Sequence, residues 1–138
     1  MIAKQSDKWL TPPEVFDPLN EEFKFCSFDP CPISWNASDE DGLSIDWQGE
    51  SIFVNPPYSD AANWIKKASV EASKGKTIVM LINAITDTKA FHEYIYGKAE
   101  IRFIAGRIKF INPENPAKRT PNPKPSMIVV FRSPIISK

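Results

Sequence analysis

Ser51-Ile52-Phe53-Val54-Asn55-Pro56-Pro57-Tyr58 joins a short apolar run to an amide, two prolines and a phenol ring. The run has the length and the β-branched and aromatic content of a buried strand, so the polar residues stand at a strand's carboxyl end. Two consecutive prolines fix φ, keep the preceding residues extended and supply carbonyls without N–H groups of their own. Beyond Tyr58, Ala61, Ile65, Ala68 and Ala72 recur at helical spacing, with Ser59 or Asp60 as cap and Gly75 as stop. A strand that turns directly into a helix is the building unit of an α/β sheet, whose strand ends are the usual place for a ligand. A surface turn, or a proline-rich ligand for a small recognition domain, would suit a disordered stretch better than one held between strand and helix.

The alternation continues on both sides. Thr11-Pro12-Pro13-Glu14 predicts a capping box, with Thr11 as N-cap, Pro12 at N1 and Glu14 at N3 of a helix running to about Glu22. Lys24 to Asp29 reads as the first strand, ended by Asp29-Pro30-Cys31-Pro32, and the stretch to Gly42 as loop. Lys76 to Asn83 is the strongest strand, and a helix from about Thr88 to Tyr96 stops at Gly97. Strands follow at Glu100 to Ile104, Arg107 to Ile111 and Met127 to Phe131. Asn112 to Pro125 holds five of the 13 prolines together with Lys118, Arg119 and Lys124, and is expected to be a long exposed loop, too polar to pack. The order predicts an α/β domain with a parallel or mixed sheet flanked by helices.

With 138 residues, 42% hydrophobic and 25% charged, the chain fits one domain, 1–138, with a core of its own and no room for a second. No apolar run approaches the roughly 20 residues that cross a bilayer, and Met1 to Asp7 lack the apolar stretch of a secretion signal. A cytoplasmic protein without membrane contact is expected. Cys26 and Cys31 are the only cysteines, so reduced thiols are expected rather than a disulfide, and no metal site. His92, the sole histidine, lies inside a predicted helix, which argues against a Ser-His-Asp or Cys-His mechanism. The zero net charge hides an asymmetry. Residues 1–58 carry 3 basic and 11 acidic side chains, a net −8, whereas residues 97–138 carry 9 and 2, a net +7. The acidic part suits a positively charged small molecule and the basic part suits phosphates.

The Asn55 side-chain oxygen and the Pro56 carbonyl can each accept one hydrogen of a planar amine, while Tyr58 stacks on the ring that carries it. An adenine swung out of a duplex presents such a group. Extruding a base costs a few kcal/mol and stacking returns roughly 1–3 kcal/mol per aromatic contact, so a second aromatic is expected opposite Tyr58. Phe110, next to the basic stretch, is the candidate, although its position equally suits a core strand.

Six blocks then fall in one order: Trp9-Leu10-Thr11-Pro12; Phe28-Asp29; Asp41-Gly42-Leu43 with Trp47; Asn55-Pro56-Pro57-Tyr58; Gly106-Arg107-Ile108-Lys109-Phe110; Ser126-Met127-Ile128-Val129-Val130-Phe131. Over residues 8–132 the chain resembles the phage-type (Dam-like) DNA N6-adenine methyltransferases. The resemblance implies a Rossmann-like S-adenosylmethionine-dependent methyltransferase fold, a compact single domain with a mixed sheet. It implies site-specific transfer of a methyl group from S-adenosylmethionine to N6 of a flipped adenine in double-stranded DNA. Asn55, Pro56, Pro57 and Tyr58 match the motif that holds the base. Trp9, Thr11 and Pro12 look like the block that touches the methionine part of the cofactor. Asp29 stands where a strand-end acid opens the cofactor loop, and Asp41 resembles the acid that receives the cofactor's adenine amine. Capping alone would explain Thr11, and turn formation alone would explain both aspartates. The chain departs from related methyltransferases in having no Gly-x-Gly loop after Asp29 and only five glycines in all.

With no space for a separate recognition domain, DNA contact falls to 112–125 and its flanks: Lys118, Arg119 and Lys124 first, then Arg107, Lys109 and Arg102. A domain this small covers little duplex, which leaves room for a homodimer. Two other classes share the tetrapeptide or the charge pattern: a methyltransferase acting on protein glutamine side chains, and a non-catalytic nucleic-acid-binding module without cofactor affinity.

Overall fold

A computed structural model describes residues 10–31 and 41–132; the readings placed on Trp9 and Pro32, and most of the loop before Gly42, lie outside them. The strands are β1 (Ser51–Val54), β2 (Thr77–Asn83), β3 (Glu100–Phe103), β4 (Lys109–Asn112), β5 (Asn115–Pro121) and β6 (Ser126–Phe131). The helices are α1 (Pro13–Phe23) and α2 (Ala61–Ala72), with a 3-10 turn at Tyr58–Asp60 and a π-helical segment at Phe91–Ile95. One sheet has the order β1-β2-β6-β3, and β4 and β5 form a separate hairpin. β1 and β2 are parallel, in register from Ser51 with Thr77 to Val54 with Met80, while β6 runs antiparallel to both β2 and β3. The domain is therefore α/β with a mixed sheet, as the alternation predicted.

β2 and β6 are unbroken apolar runs because the sheet is covered on both faces. Ile78, Met80, Ile82, Met127 and Val129 face Trp64, Ile65 and Ala68 of α2 together with Phe91 and Ile95. Val79, Leu81, Ile128 and Val130 face Leu19 of α1, Ile108 just before β4 and Phe110 within it. Period-two alternation thus assigns each strand residue to one of two cores.

α2 also buries a charge. The Glu71 side chain has no exposed surface, yet it accepts from the Trp47 backbone N–H at 3.2 Å and pairs with Lys67 and Lys74 at 3.0 Å each. Burial pushes its pKa up, but the two ammonium groups and the N–H outweigh that and hold it below the ordinary carboxylate range. The pairing fixes the chain at Trp47, whose indole donates to the Gly42 carbonyl at 2.7 Å and stacks on Trp64. The loop from Asp41 is fastened to α2 in this way.

Three expectations are corrected. Lys24 to Asp29 is not a strand: Lys24 ends α1 in the left-handed region at φ 53°, and the segment gives β1 a single backbone bond, Cys26 N–H to the Ser51 carbonyl at 2.8 Å. Its strand-like phenylalanines serve a cluster instead, Phe25 lying 5.7 Å from Phe16 and 5.4 Å from Phe53 between ring centres. The capping box does not form, because α1 starts one residue later, on Pro12 as N-cap, with no side-chain cap bond. The 112–125 stretch is not one long loop: half of it is strand β5, paired antiparallel with β4. Every residue of β5 is exposed, so the expectation of exposure stands while that of irregular backbone fails. Prolines are tolerated there because an edge strand needs donors on one side only.

Smaller shifts concern ends and helix type. Arg107 precedes β4 rather than opening it, and the predicted helix from Thr88 takes π-helical form over Phe91–Ile95.

Candidate active site

Asn55 follows β1 directly and is half-buried, while Pro56 and Pro57 are buried and hold the chain as it leaves the sheet. The Pro57 carbonyl accepts from the Asp60 N–H at 3.1 Å, which starts the 3-10 turn at Tyr58 and leads into α2. The amide of Asn55 is oriented by a residue far away in sequence: its Nδ2 donates to Thr11 Oγ1 at 3.1 Å. That bond anchors the amide, which lies with its nitrogen toward Thr11 and its oxygen away from it, the orientation an acceptor of an amine requires. Thr11 is available for it because it does not cap α1.

Tyr58 is half-buried, and its ring meets that of Phe110 edge-on, 6.1 Å between centres at 68°. Phe110 is 3% exposed and belongs to the core with Val79 and Leu81. It backs Tyr58 and presents no open face of its own.

Asp29 and Asp41 are brought together through their neighbours. A β-carbon on Gly42 would lie 2.2 Å from the Pro30 carbonyl oxygen and 2.8 Å from the Trp64 ring, so only glycine permits this approach. Each aspartate accepts through Oδ1 from the backbone N–H two residues on, Cys31 and Leu43, at 2.9 Å in both cases. Both are therefore turn formers, but each turn consumes one carboxylate oxygen and leaves the other to accept from a hydroxyl or amine. Surrounding protein raises the Asp29 pKa by desolvation, against the lowering effect of the Cys31 N–H. Because the residue keeps an exposed surface, the side chain stays accessible to a ligand. Trp64, in the first turn of α2 that follows Tyr58, links this pair of acids to the Asn55 motif.

A family model described as DNA N-6-adenine-methyltransferase (Dam) matches residues 1–137. The chain belongs to this family. The resemblance read from the six blocks is borne out. A DNA N-6-adenine-methyltransferase of Haemophilus phage HP1 (strain HP1c1) is 36% identical over 142 residues, covering 94% of this chain and 82% of the relative. Another, from Escherichia phage T1, is 28% identical over 149 residues, covering 91% of this chain but 63% of the relative.

The basic residues of this Dam family member divide into two groups. Arg119 pairs with Glu14, and Arg102 holds Glu22 through two bonds of 2.7 Å and Glu100 through one of 2.5 Å. Both arginines thus fold part of the basic end of the sequence onto its acidic beginning, a cancellation that no linear charge count reveals. Arg107, Lys109, Lys118 and Lys124 are exposed and form no ion pair among the described residues.

Sequence reasoning passed over Asn122. It is buried, donates to Asn83 Oδ1 at 2.8 Å and Ser126 Oγ at 3.1 Å, and its N–H reaches the Ile108 carbonyl at 2.8 Å. It pins the far end of the hairpin to β2 and β6. An asparagine between prolines reads as a turn, and its partner Asn83 lies 39 residues away. Among the described residues no cluster of potential metal ligands occurs and no helix is long and apolar enough to cross a membrane.

Proposed function

We propose that this chain transfers a methyl group from S-adenosylmethionine to N6 of an adenine flipped out of double-stranded DNA, with Asn55, Pro56 and Tyr58 holding the base. Family membership gives the reaction, methylation of adenine N6 in DNA. The observation that supports this use of the motif is the place of the Asn55 amide, at the carboxyl end of β1 and anchored by Thr11 with its nitrogen toward that hydroxyl. The Asn55 oxygen and the Pro56 carbonyl accept the two N6 hydrogens and draw them from conjugation with the ring, which raises lone-pair density on nitrogen. Tyr58 stacks on the base, and Phe110 keeps the Tyr58 ring in place. Neither an amide nor a carbonyl takes the proton, which leaves to water. Alignment of nucleophile and methyl group supplies most of the acceleration.

S-adenosylmethionine, when bound, supplies an electrophilic methyl group on a sulfonium. The residues present fit it: Asp29 and Asp41 each hold one oxygen preset by a backbone N–H and one to accept a ribose hydroxyl or the adenine amine, and their charge suits the sulfonium. The parallel β1-α2-β2 unit, with both acids and Asn55 near its turn into α2, is the basis for reading the sheet as Rossmann-like. Asp29→Asn and Asp41→Asn are each expected to weaken binding of the cofactor, measured by titration calorimetry without DNA, by about 1–3 kcal/mol. Unchanged affinity in both variants would reduce the two acids to turn formers.

DNA engagement falls to the hairpin and its flanks, where Arg107, Lys109, Lys118 and Lys124 form no ion pair among the described residues. Replacing Lys109, Lys118 and Lys124 with alanine is expected to leave cofactor binding intact and to flatten the log–log salt dependence of DNA affinity by about two to three units. Arg119 is left out of this set because Glu14 already holds it. The same slope in wild type and variant would move DNA contact to another surface. Sequencing DNA from cells that express the chain, with detection of N6-methylated adenines, tests the whole reading and reports the recognised site.

A further inference from the structure

Three contacts meet around Thr11. Its hydroxyl accepts from Asn55 Nδ2 at 3.1 Å. The residue before it, Leu10, exchanges two backbone bonds of 3.1 Å with Ile111 of β4. Glu14, in the first turn of α1, pairs with Arg119, which stands opposite Ile111 in the hairpin register. The short stretch from Leu10 to Glu14 is thus stitched to the hairpin at both ends, while one side chain within it reaches across to the candidate catalytic amide.

An asparagine amide can turn over about its last torsion, which exchanges oxygen for –NH2. Turned over, Asn55 would present a donor to the donor hydrogens of an adenine amine, and the two would repel. A hydroxyl can accept from the amide nitrogen or donate to the amide oxygen, so the bond to Thr11 fixes the place of the side chain, by about the worth of a hydrogen bond, and the amine of the base selects the orientation with the oxygen toward it. Since α1 starts on Pro12 without a side-chain cap bond, helix formation makes no competing demand on that hydroxyl.

We infer that Thr11 is a positioning residue: its hydroxyl holds the Asn55 side chain at the pocket for the base, and the Leu10–Ile111 pair sets where Thr11 stands, so that the hairpin and the base pocket keep a fixed register. The inference rests on the reading of Asn55 as the amine acceptor. It gives a block that the resemblance assigned to the cofactor a part in the pocket for the base.

The test is steady-state methylation of duplex DNA from a methylation-deficient host with tritiated S-adenosylmethionine, comparing wild type, Thr11→Val, Thr11→Ser and Asn55→Ala. Thr11→Val is expected to lower kcat by about 10- to 100-fold while the KM for S-adenosylmethionine stays within about two-fold, and Thr11→Ser, which keeps the hydroxyl, is expected to restore most of the rate. If Thr11→Val melts below the assay temperature, Thr11→Ala is held to the same expectation. A raised KM with unchanged kcat would overturn the inference in favour of a cofactor contact. Wild-type behaviour of Thr11→Val, or equal losses in Thr11→Val and Thr11→Ser, would overturn it as well. An inactive Asn55→Ala beside an active Thr11→Val defeats this inference alone, whereas an active Asn55→Ala defeats the catalytic reading beneath it.

Discussion

Asn55→Ala is expected to lower methyl transfer to DNA by about 10²- to 10³-fold or more, the range seen when one preorganised polar group is removed from a reacting centre, while the melting temperature and the affinity for S-adenosylmethionine change little. The side chain is half-buried at the end of β1, and truncation removes its hydrogen bond to Thr11. Incorporation of tritiated methyl groups measures the effect directly. Turnover near the wild-type rate would mean that the amine is received by some other group and that the tetrapeptide is only a turn.

The second large effect is expected at Gly42, away from the tetrapeptide. Any side chain there starts with a β-carbon 2.2 Å from the Pro30 carbonyl oxygen, and that oxygen belongs to backbone which cannot swing aside as a long side chain does. Gly42→Ala therefore forces the Asp29–Pro30 and Asp41–Gly42 segments apart. Overpacking of this kind costs about 1–3 kcal/mol, which in a domain of this size lowers the melting temperature by several degrees, at about 4 °C per kcal/mol. S-adenosylmethionine affinity is expected to fall further than in either single aspartate variant, because both acids move. Thermal melting with and without the cofactor separates the two losses. A Gly42→Ala protein that melts and binds as wild type does would show that the two segments do not meet in solution.

The parts of this fold that were legible in the sequence are those in which one residue's surroundings come from its own element. β2 and β6 read correctly because burial on both faces leaves an uninterrupted apolar run, and α2 because its buried stripe recurs at helical spacing. The misreadings share a cause in contacts between distant residues. Thr11 satisfied every local rule for a capping box, yet its hydroxyl goes to Asn55, 44 positions away. Phe25 and Phe28 gave Lys24 to Asp29 the look of a strand, yet the side chains pack in clusters and the backbone scarcely pairs. β5 has no apolar residue facing a core and includes prolines, so neither periodicity nor propensity marks it, and it is a strand because β4 offers it a partner. The site divides in the same way. Asn55 to Tyr58 were contiguous and could be found together, whereas the meeting of Asp29 with Asp41 depends on a glycine whose reason is a carbonyl in another segment.

The exposure of β5 bears on how such proteins diversify. Surface substitutions that disturb no buried contact usually alter stability by less than about 0.5 kcal/mol, and no residue from Asn115 to Pro121 contributes to either core. The contacts that keep this strand in place are its pairing with β4, the anchor at Asn122 and, within the strand itself, the ion pair of Arg119 with Glu14. Its side chains other than Arg119 are accordingly open to replacement in almost any combination that preserves pairing, while Asn55, Gly42 and the apolar strands are not. Where the hairpin meets DNA as proposed, related enzymes can revise that contact many times over without having to reinvent the scaffold.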